Sequence, residues 1–222
     1  MTRWALETGP MFRDRADAGA QLAKSLVGRT GPDALVLGIP RGGVVVAAEL
    51  ARALGAELDV IVARKLGAPM SAELAIGAVT ADGGRFLNDE IVRELHVPGE
   101  YIVEITELER AEAERRQVRF RGSRPPPRVN GRTVILVDDG LATGATMRAA
   151  VRSLRHAVPQ RIIAAVPVGS PEACAALRGE VDELVCLAEP EDFGAVGMFY
   201  RDFQPTEDSE VERLLREASP AV

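Results

Sequence analysis

Apolar positions along this chain fall into two spacings, and their alternation outlines a fold. Phe12, Ala16, Ala20, Ala23 and Val27 recur at helical intervals and predict an opening helix. Ala34 to Gly38 is a short unbroken apolar run, as expected of a strand buried on both faces. It ends in Ile39-Pro40-Arg41-Gly42-Gly43. Val44 to Leu54 then reads as a helix with Gly55 as its cap, and Leu58 to Ala63 as a second strand. Strand–helix–strand is the unit of a parallel sheet. The alternation resumes with strands at Thr133 to Val137, Arg161 to Val166 and Glu183 to Leu187. Helices are expected at Gly144 to Leu154, Pro171 to Leu177 and Ser209 to Glu217.

Between these halves the pattern changes. Arg64 to Ala72 breaks it, and Ile76 to Asn88 suits a hairpin around Asp82-Gly83-Gly84. Glu100 to Arg121 is long and highly charged. Its acids come first and its bases last, which suits a helix dipole. Arg124-Pro125-Pro126-Pro127-Arg128 is a stiff linker. The expected organisation is one α/β domain over residues 1–222, with residues 64–128 as an inserted lobe or enlarged loop.

Composition narrows the function classes. At 222 residues the chain can bury a proper core, and with only 4 % aromatics that core must be aliphatic. The net charge of −6 argues against a broad nucleic-acid surface. Only Lys24 and Lys65 are lysines among 27 basic residues, so each merits attention. No apolar run is long enough to span a membrane. The start of the chain carries charges where a signal peptide needs apolar residues, so a cytoplasmic location is expected. Cys174 and Cys186 give neither a disulfide framework nor a metal-ligand spacing, and His96 and His156 stand far apart.

The sharpest signal is Val134 to Thr146, VILVDDGLATGAT. Four aliphatic residues run into two adjacent carboxylates, Asp138 and Asp139, at what should be the carboxyl edge of a parallel sheet. Ligands bind at that edge. Paired carboxylates there can accept hydrogen bonds from adjacent hydroxyls. The loop Ala142-Thr143-Gly144-Ala145-Thr146 has no bulky side chain over its amides. It opens a helix, so it can surround a phosphate. A hydroxyl pair beside a phosphate describes a ribose 5-phosphate. A turn with a helix cap would need one aspartate rather than two.

This stretch resembles the phosphoribosyl pyrophosphate motif of the type I phosphoribosyltransferases. The resemblance implies a parallel sheet flanked by helices, with an inserted helical and hairpin lobe and a small C-terminal hood. It implies that Asp138 and Asp139 hold the ribose hydroxyls and that Ala142 to Thr146 hold the 5-phosphate. The ATGAT form is most similar to the adenine and uracil enzymes. The 6-oxopurine enzymes carry an aspartate where this chain has Ala142, which argues against hypoxanthine or guanine.

Two further loops fit the same resemblance. Gly42 and Gly43 allow backbone amides near an anion, and Arg41 adds a charge suited to phosphate. In the family this is the pyrophosphate loop, often with a strained or cis peptide. Arg64-Lys65-Leu66-Gly67-Ala68-Pro69 is similar to a basic segment of adenine phosphoribosyltransferases that starts a mobile loop over pyrophosphate. Pro69 stands one residue early, and beyond it the likeness fades. Lys65 supplies a compact point charge for a polyphosphate.

The family's hood grips a nitrogenous acceptor. Phe193, Phe199 and Tyr200 cluster in the tail, where they either stack on a base or pack the tail onto the sheet. The implied chemistry is displacement at the anomeric carbon, with pyrophosphate leaving. Mg²⁺ is the implied cofactor, held mainly by the substrate near Asp138 and Asp139. Partners are phosphoribosyl pyrophosphate and an unidentified nucleobase or amine, with room for a homodimer. A rival reading is a regulator of this fold that binds nucleic acid through Arg115, Arg116, Arg119, Arg121, Arg124, Arg128 and Arg132. Pairing of those arginines with neighbouring glutamates is the plainer expectation.

Overall fold

The computed structural model describes residues 10–31 and 33–218, and of residues 72 and 73 the backbone alone. Five strands form a parallel sheet: β1 (Leu35–Gly38), β2 (Glu57–Val60), β6 (Thr133–Val137), β7 (Arg161–Val168) and β8 (Glu183–Ala188). Their order is β2-β1-β6-β7-β8, with Leu35 opposite both Glu57 and Val134 and Thr133 opposite Arg161.

Successive side chains along each central strand point to opposite faces of the sheet, and both faces are buried. Val36, Ile135, Val137, Ile163 and Ala165 face α1 (Arg15–Leu26), α2 (Gly42–Leu54) and α7 (Asp208–Glu217). Leu35, Leu37, Val134, Leu136, Ile162 and Ala164 face α5 (Ala145–His156) and α6 (Pro171–Arg178). Helices on both faces account for the unbroken apolar runs. Ile135 is fully buried, so truncating it to alanine costs about 2–5 kcal/mol.

The chain runs from β1 through α2 to β2 on one side, and from β6 through α5 to β7 on the other. Adjacent strands β1 and β6 thus send their following helices in opposite directions, which opens a crevice at their carboxyl ends. Both motif loops leave the sheet at this point.

Residues 64–128 hold regular structure where a loop was one expectation. β3 (Ala63–Ala68), β4 (Ser71–Thr80) and β5 (Arg85–Leu87) make a separate antiparallel sheet. The expected hairpin is its β4–β5 half, with Ala78 opposite Phe86. The segment read as a break, Arg64 to Ala72, is instead mostly strand β3, pairing Lys65 with Ala78. Sequence alone missed it because Arg64, Lys65 and Gly67 blunt its apolar alternation. Its buried residues Leu66 and Ala68 pack with Ile76 and Val79 beneath α3 (Asp89–Glu94) and α4 (Gly99–Arg121). On the other side, Ala78 and Phe86 pack on Ala145 and Ala149 of α5.

The second strand also differs in extent. It ends at Val60, and Ile61 and Val62 join it to β3. Among the described residues, no helix is long and apolar enough to cross a membrane.

Candidate active site

Asp138 and Asp139 follow β6 directly, and Gly42 and Gly43 open α2 directly after the β1 loop. The crevice brings these four residues into contact. A Cβ on Gly42 would collide with the Asp139 carboxylate, lying 2.7 Å from its Cγ and 2.5 Å from Arg15 Nε. A Cβ on Gly43 would stand 2.8 Å from Asp138 Cα and 2.9 Å from Val137 O. The glycines are therefore required by the acidic pair itself, in addition to any access they give an anion. The Pro40–Arg41 peptide in this loop is cis.

The two carboxylates are held differently. Asp138 Oδ1 accepts the Asp139 amide at 2.8 Å. Burial pushes the Asp138 carboxyl well above the usual carboxylate range; the neighbouring Asp139 charge adds to this, and Arg15 opposes it. Asp139 Oδ2 accepts Arg15 Nε at 2.7 Å, in a pair whose side chains are only 12 % and 17 % exposed. Arg15 also donates to Gln204 O at 2.8 Å and lies 3.8 Å over the Phe203 ring. The tail is thereby tied to the acidic pair. Arg15 was not singled out from the sequence. It lies 124 residues from Asp139, on the polar side of a helix-period segment. The available signal was chemical: two adjacent carboxylates behind a buried strand call for a cation.

The loop after the acids is shaped by β7 and α6. Leu141 N donates to Val168 O at 2.9 Å, and Ser170 N to Leu141 O at 2.8 Å. Ser170 Oγ donates to Ala142 O at 2.7 Å. Gly144 then takes a left-handed φ of +74°, which favours glycine, and starts α5 without a side-chain cap. Ala142 and Thr143 are exposed and Thr146 is half-buried, while Gly144 and Ala145 are buried.

The helix termini carry a charge pattern. α1, α3, α4, α6 and α7 each have an acidic residue in the first turn. Among the described α-helices only α2 and α5 have none. These are the two whose amino ends flank Asp138 and Asp139. Unsatisfied amides and the positive dipole end favour an anion there, and an acidic first turn would repel it.

The basic residues are not gathered into the crevice. Arg41 is 42 % exposed, and its guanidinium lies 3.7 Å from Asp208 of α7. Arg64 pairs with Glu109 at 2.7 Å. Lys65 is exposed on β3 and makes no ion pair among the described residues.

The tail aromatics divide. Tyr200 is buried, packs on Phe12 and Phe203, and donates its hydroxyl to Asp139 O at 2.6 Å. It positions the acidic pair, and its ring has no free face for a base. Burial, with the nearby Asp139 charge, raises the Tyr200 hydroxyl well above its ordinary pKa, so it stays a donor. Phe193 and Phe199 are half-buried and stack on each other at 5.5 Å.

Most of the arginine cluster is engaged within the fold. Arg115 and Arg116 pair with Glu112, Arg119 with Asp208 and Glu212, Arg121 and Arg124 with Asp59, and Arg132 with Glu57. That agrees in part with the expectation of neighbouring glutamates, although Asp59 and α7 supply much of the charge.

The chain matches the family described as phosphoribosyl transferase domain over residues 12–204. Proteins from two strains of Mycobacterium tuberculosis, named by inference as phosphoribosyl transferases, are 46 % identical over 208 residues. That alignment covers 94 % of this chain and 47 % of theirs, so the chain spans about half the length of the curated relatives it matches. A crystal structure from Thermus thermophilus is 44 % identical with a TM-score of 0.79, covering 94 % of this chain and 99 % of that one. A hypoxanthine phosphoribosyltransferase from Staphylococcus aureus shares the fold at a TM-score of 0.50 and 11 % identity, over 88 % and 85 % of the two chains. The fold is thus the type I phosphoribosyltransferase-like parallel sheet. The matched span begins ahead of Arg15 and ends beyond Tyr200, so it takes in the acidic pair, both helix termini and the tail that holds them: this chain belongs to the phosphoribosyl transferase domain family.

Proposed function

We propose that the chain transfers the 5-phosphoribosyl group of phosphoribosyl pyrophosphate to a nitrogenous base or amine, releasing pyrophosphate. The observation that carries this reading is the acidic pair set between the two helix termini free of first-turn acids. One terminus serves a 5-phosphate and the other a pyrophosphate, with the ribose hydroxyls between them on Asp138 and Asp139. The family membership supports the same ligand.

In this reading Thr143, Thr146 and the amides of Ala142 to Ala145 bind the 5-phosphate. The Gly42 and Gly43 amides face the pyrophosphate, Arg41 would reach it by swinging away from Asp208, and Lys65, which makes no ion pair among the described residues, adds a further charge. The acceptor nitrogen bonds to the anomeric carbon as the carbon–oxygen bond to pyrophosphate breaks. Positive charge builds on the ribose beside the two carboxylates, and negative charge on the leaving group beside the α2 amides. Preorganised charge of this kind is the main source of stabilisation, and fixed placement of both reactants adds to it. Phe193 and Phe199 offer a flat apolar edge for a base.

The donor set also fits Mg²⁺. Carboxylate oxygens suit a hard cation, and one Asp139 oxygen is committed to Arg15. One Asp138 oxygen is likewise committed, to the Asp139 amide, so substrate oxygens and water would hold the ion mainly, with the remaining oxygens of both aspartates near it, in a shell of about six. When bound, the ion would neutralise charge on the leaving pyrophosphate.

The test is to incubate the protein with phosphoribosyl pyrophosphate, Mg²⁺ and a panel of bases and amines and follow pyrophosphate release. Acceptor-dependent release that is lost in Asp138→Asn supports the proposal. Release from no acceptor, together with no binding of the donor, overturns it.

A further inference from the structure

The only two cysteines in 222 residues meet in space. Cys174 lies on α6 and Cys186 near the end of β8. Their sulfurs and a carboxylate oxygen of Glu189 all lie within 4.8 Å of one another. Cys174 is buried, while Cys186 and Glu189 are half-buried and reach the surface. A Cβ on Gly169 would stand 2.5 Å from Cys174 Sγ and 3.5 Å from Cys186 Sγ, so the glycine leaves room for both sulfurs. None of these residues belongs to the acidic-pair site.

We propose that Cys174, Cys186 and Glu189 bind a thiophilic divalent cation of the zinc class. Two sulfurs and one oxygen are the donors such an ion takes, and they do not suit Mg²⁺. Zinc bonds of about 2.3 Å to sulfur and 2.0–2.2 Å to oxygen place tetrahedral ligand atoms roughly 3.4–3.8 Å apart. The present spread closes to that by about 1 Å, within reach of side-chain rotation. Binding releases the two thiol protons. A dication with two thiolates and one carboxylate carries one net negative charge, and the Arg178 guanidinium already paired with Glu189 offsets it. Water would complete the fourth position, and the partial exposure of Cys186 and Glu189 gives the ion an entry path.

The site has a mechanical connection to the crevice. Cys174 N donates to Ser170 O at 3.0 Å, and Ser170 Oγ donates to Ala142 O at 2.7 Å. A bound ion would clamp α6 to the end of β8 directly behind the loop that Ser170 shapes. The proposal stands on the sulfur cluster alone and is independent of the transferase reading.

The test uses the full chain, reduced and freed of metal with a chelator, and titrated with Cd²⁺. Thiolate-to-metal charge transfer in the ultraviolet should saturate at a single equivalent, and Zn²⁺ should raise the melting temperature. Cys186→Ser should abolish the charge-transfer band. Glu189→Gln, a conservative change near the surface, should weaken Cd²⁺ binding by about tenfold or more while the metal-free melting temperature holds. A band that is absent from the reduced wild type, or unchanged in both variants, overturns the proposal. So does quantitative formation of a Cys174–Cys186 disulfide with dilute hydrogen peroxide in a protein that gives no band, which assigns a redox pair instead.

Discussion

Alanine substitutions at Gly42 and Gly43 separate two ways in which the acidic pair constrains the loop before α2. At Gly43 the new methyl would stand 2.8 Å from Asp138 Cα and 2.9 Å from Val137 O, both main-chain atoms at the end of a central strand. Ordinary carbon contacts are about 3.5–4.0 Å. The strand and the helix must therefore part by roughly 1 Å, an overpacking cost of about 1–3 kcal/mol. At Gly42 the methyl meets the ends of the Asp139 and Arg15 side chains, which can rotate away. That relieves the clash but breaks their ion pair, a charge-assisted bond worth about 1.5–3 kcal/mol. Lower entropy of the unfolded chain returns about 0.4–1 kcal/mol in each case. Both variants should lose about 1–2 kcal/mol, or roughly 2–8 °C in Tm. Their coupling to Arg15→Met should differ. In Gly42→Ala the pair is already broken, so adding Arg15→Met costs little, and urea melts should show a coupling of about 1–2 kcal/mol. Gly43→Ala and Arg15→Met should add within about 0.5 kcal/mol. Gly99→Ala is the control, because beyond its chain neighbours and its own helix backbone nothing lies within 4 Å of its added methyl. Additive effects of Gly42→Ala and Arg15→Met, or a Tm for Gly43→Ala matching the control, would refute the steric argument.

Three other expectations follow from the same site. The folded protein holds the Asp138 proton to a higher pH than the unfolded chain, whose aspartates titrate near ~3.9. Between those values the native state binds more protons, so stability falls as pH rises through the window. Asp138→Asn removes that dependence and should be more stable than wild type at neutral pH; parallel urea-midpoint curves for the two proteins would contradict this. Tyr200→Phe loses the 2.6 Å bond to Asp139 O, which should cost about 0.5–1.5 kcal/mol in a denaturant melt; an unchanged midpoint would show that the hydroxyl does not hold the pair. Lys65→Met should leave stability within about 0.5 kcal/mol while raising the KM for phosphoribosyl pyrophosphate, and an unaltered KM would remove Lys65 from the site.

The sequence displayed the parallel strands well because both faces of the sheet are covered. Val134 to Val137 can only be read one way when every residue is apolar and two aspartates follow. Strand β3 was hidden for the opposite reason. Its neighbouring residues Arg64 and Lys65 put a charge on each face, and its register with β4 slips at Gly67, so no apolar alternation marks it. The acidic pair and both loops were visible as motifs. What held them was not, because Arg15 and Tyr200 act from 124 and 61 residues away through single hydrogen bonds. Tyr200 stood out as an aromatic, which suggested stacking, and only its buried hydroxyl contact identifies it as a positioning residue. The two glycines were read as openings for an anion, yet their closest neighbours are the carboxylates themselves.

Isothermal titration of phosphoribosyl pyrophosphate in the presence of Mg²⁺ tests the central claim most directly. Wild type should give saturable binding that the Asp138→Asn/Asp139→Asn double variant, still folded by circular dichroism, does not. Saturable binding of equal strength in both proteins, or no binding in either, would contradict the assignment of the acidic pair to the ribose.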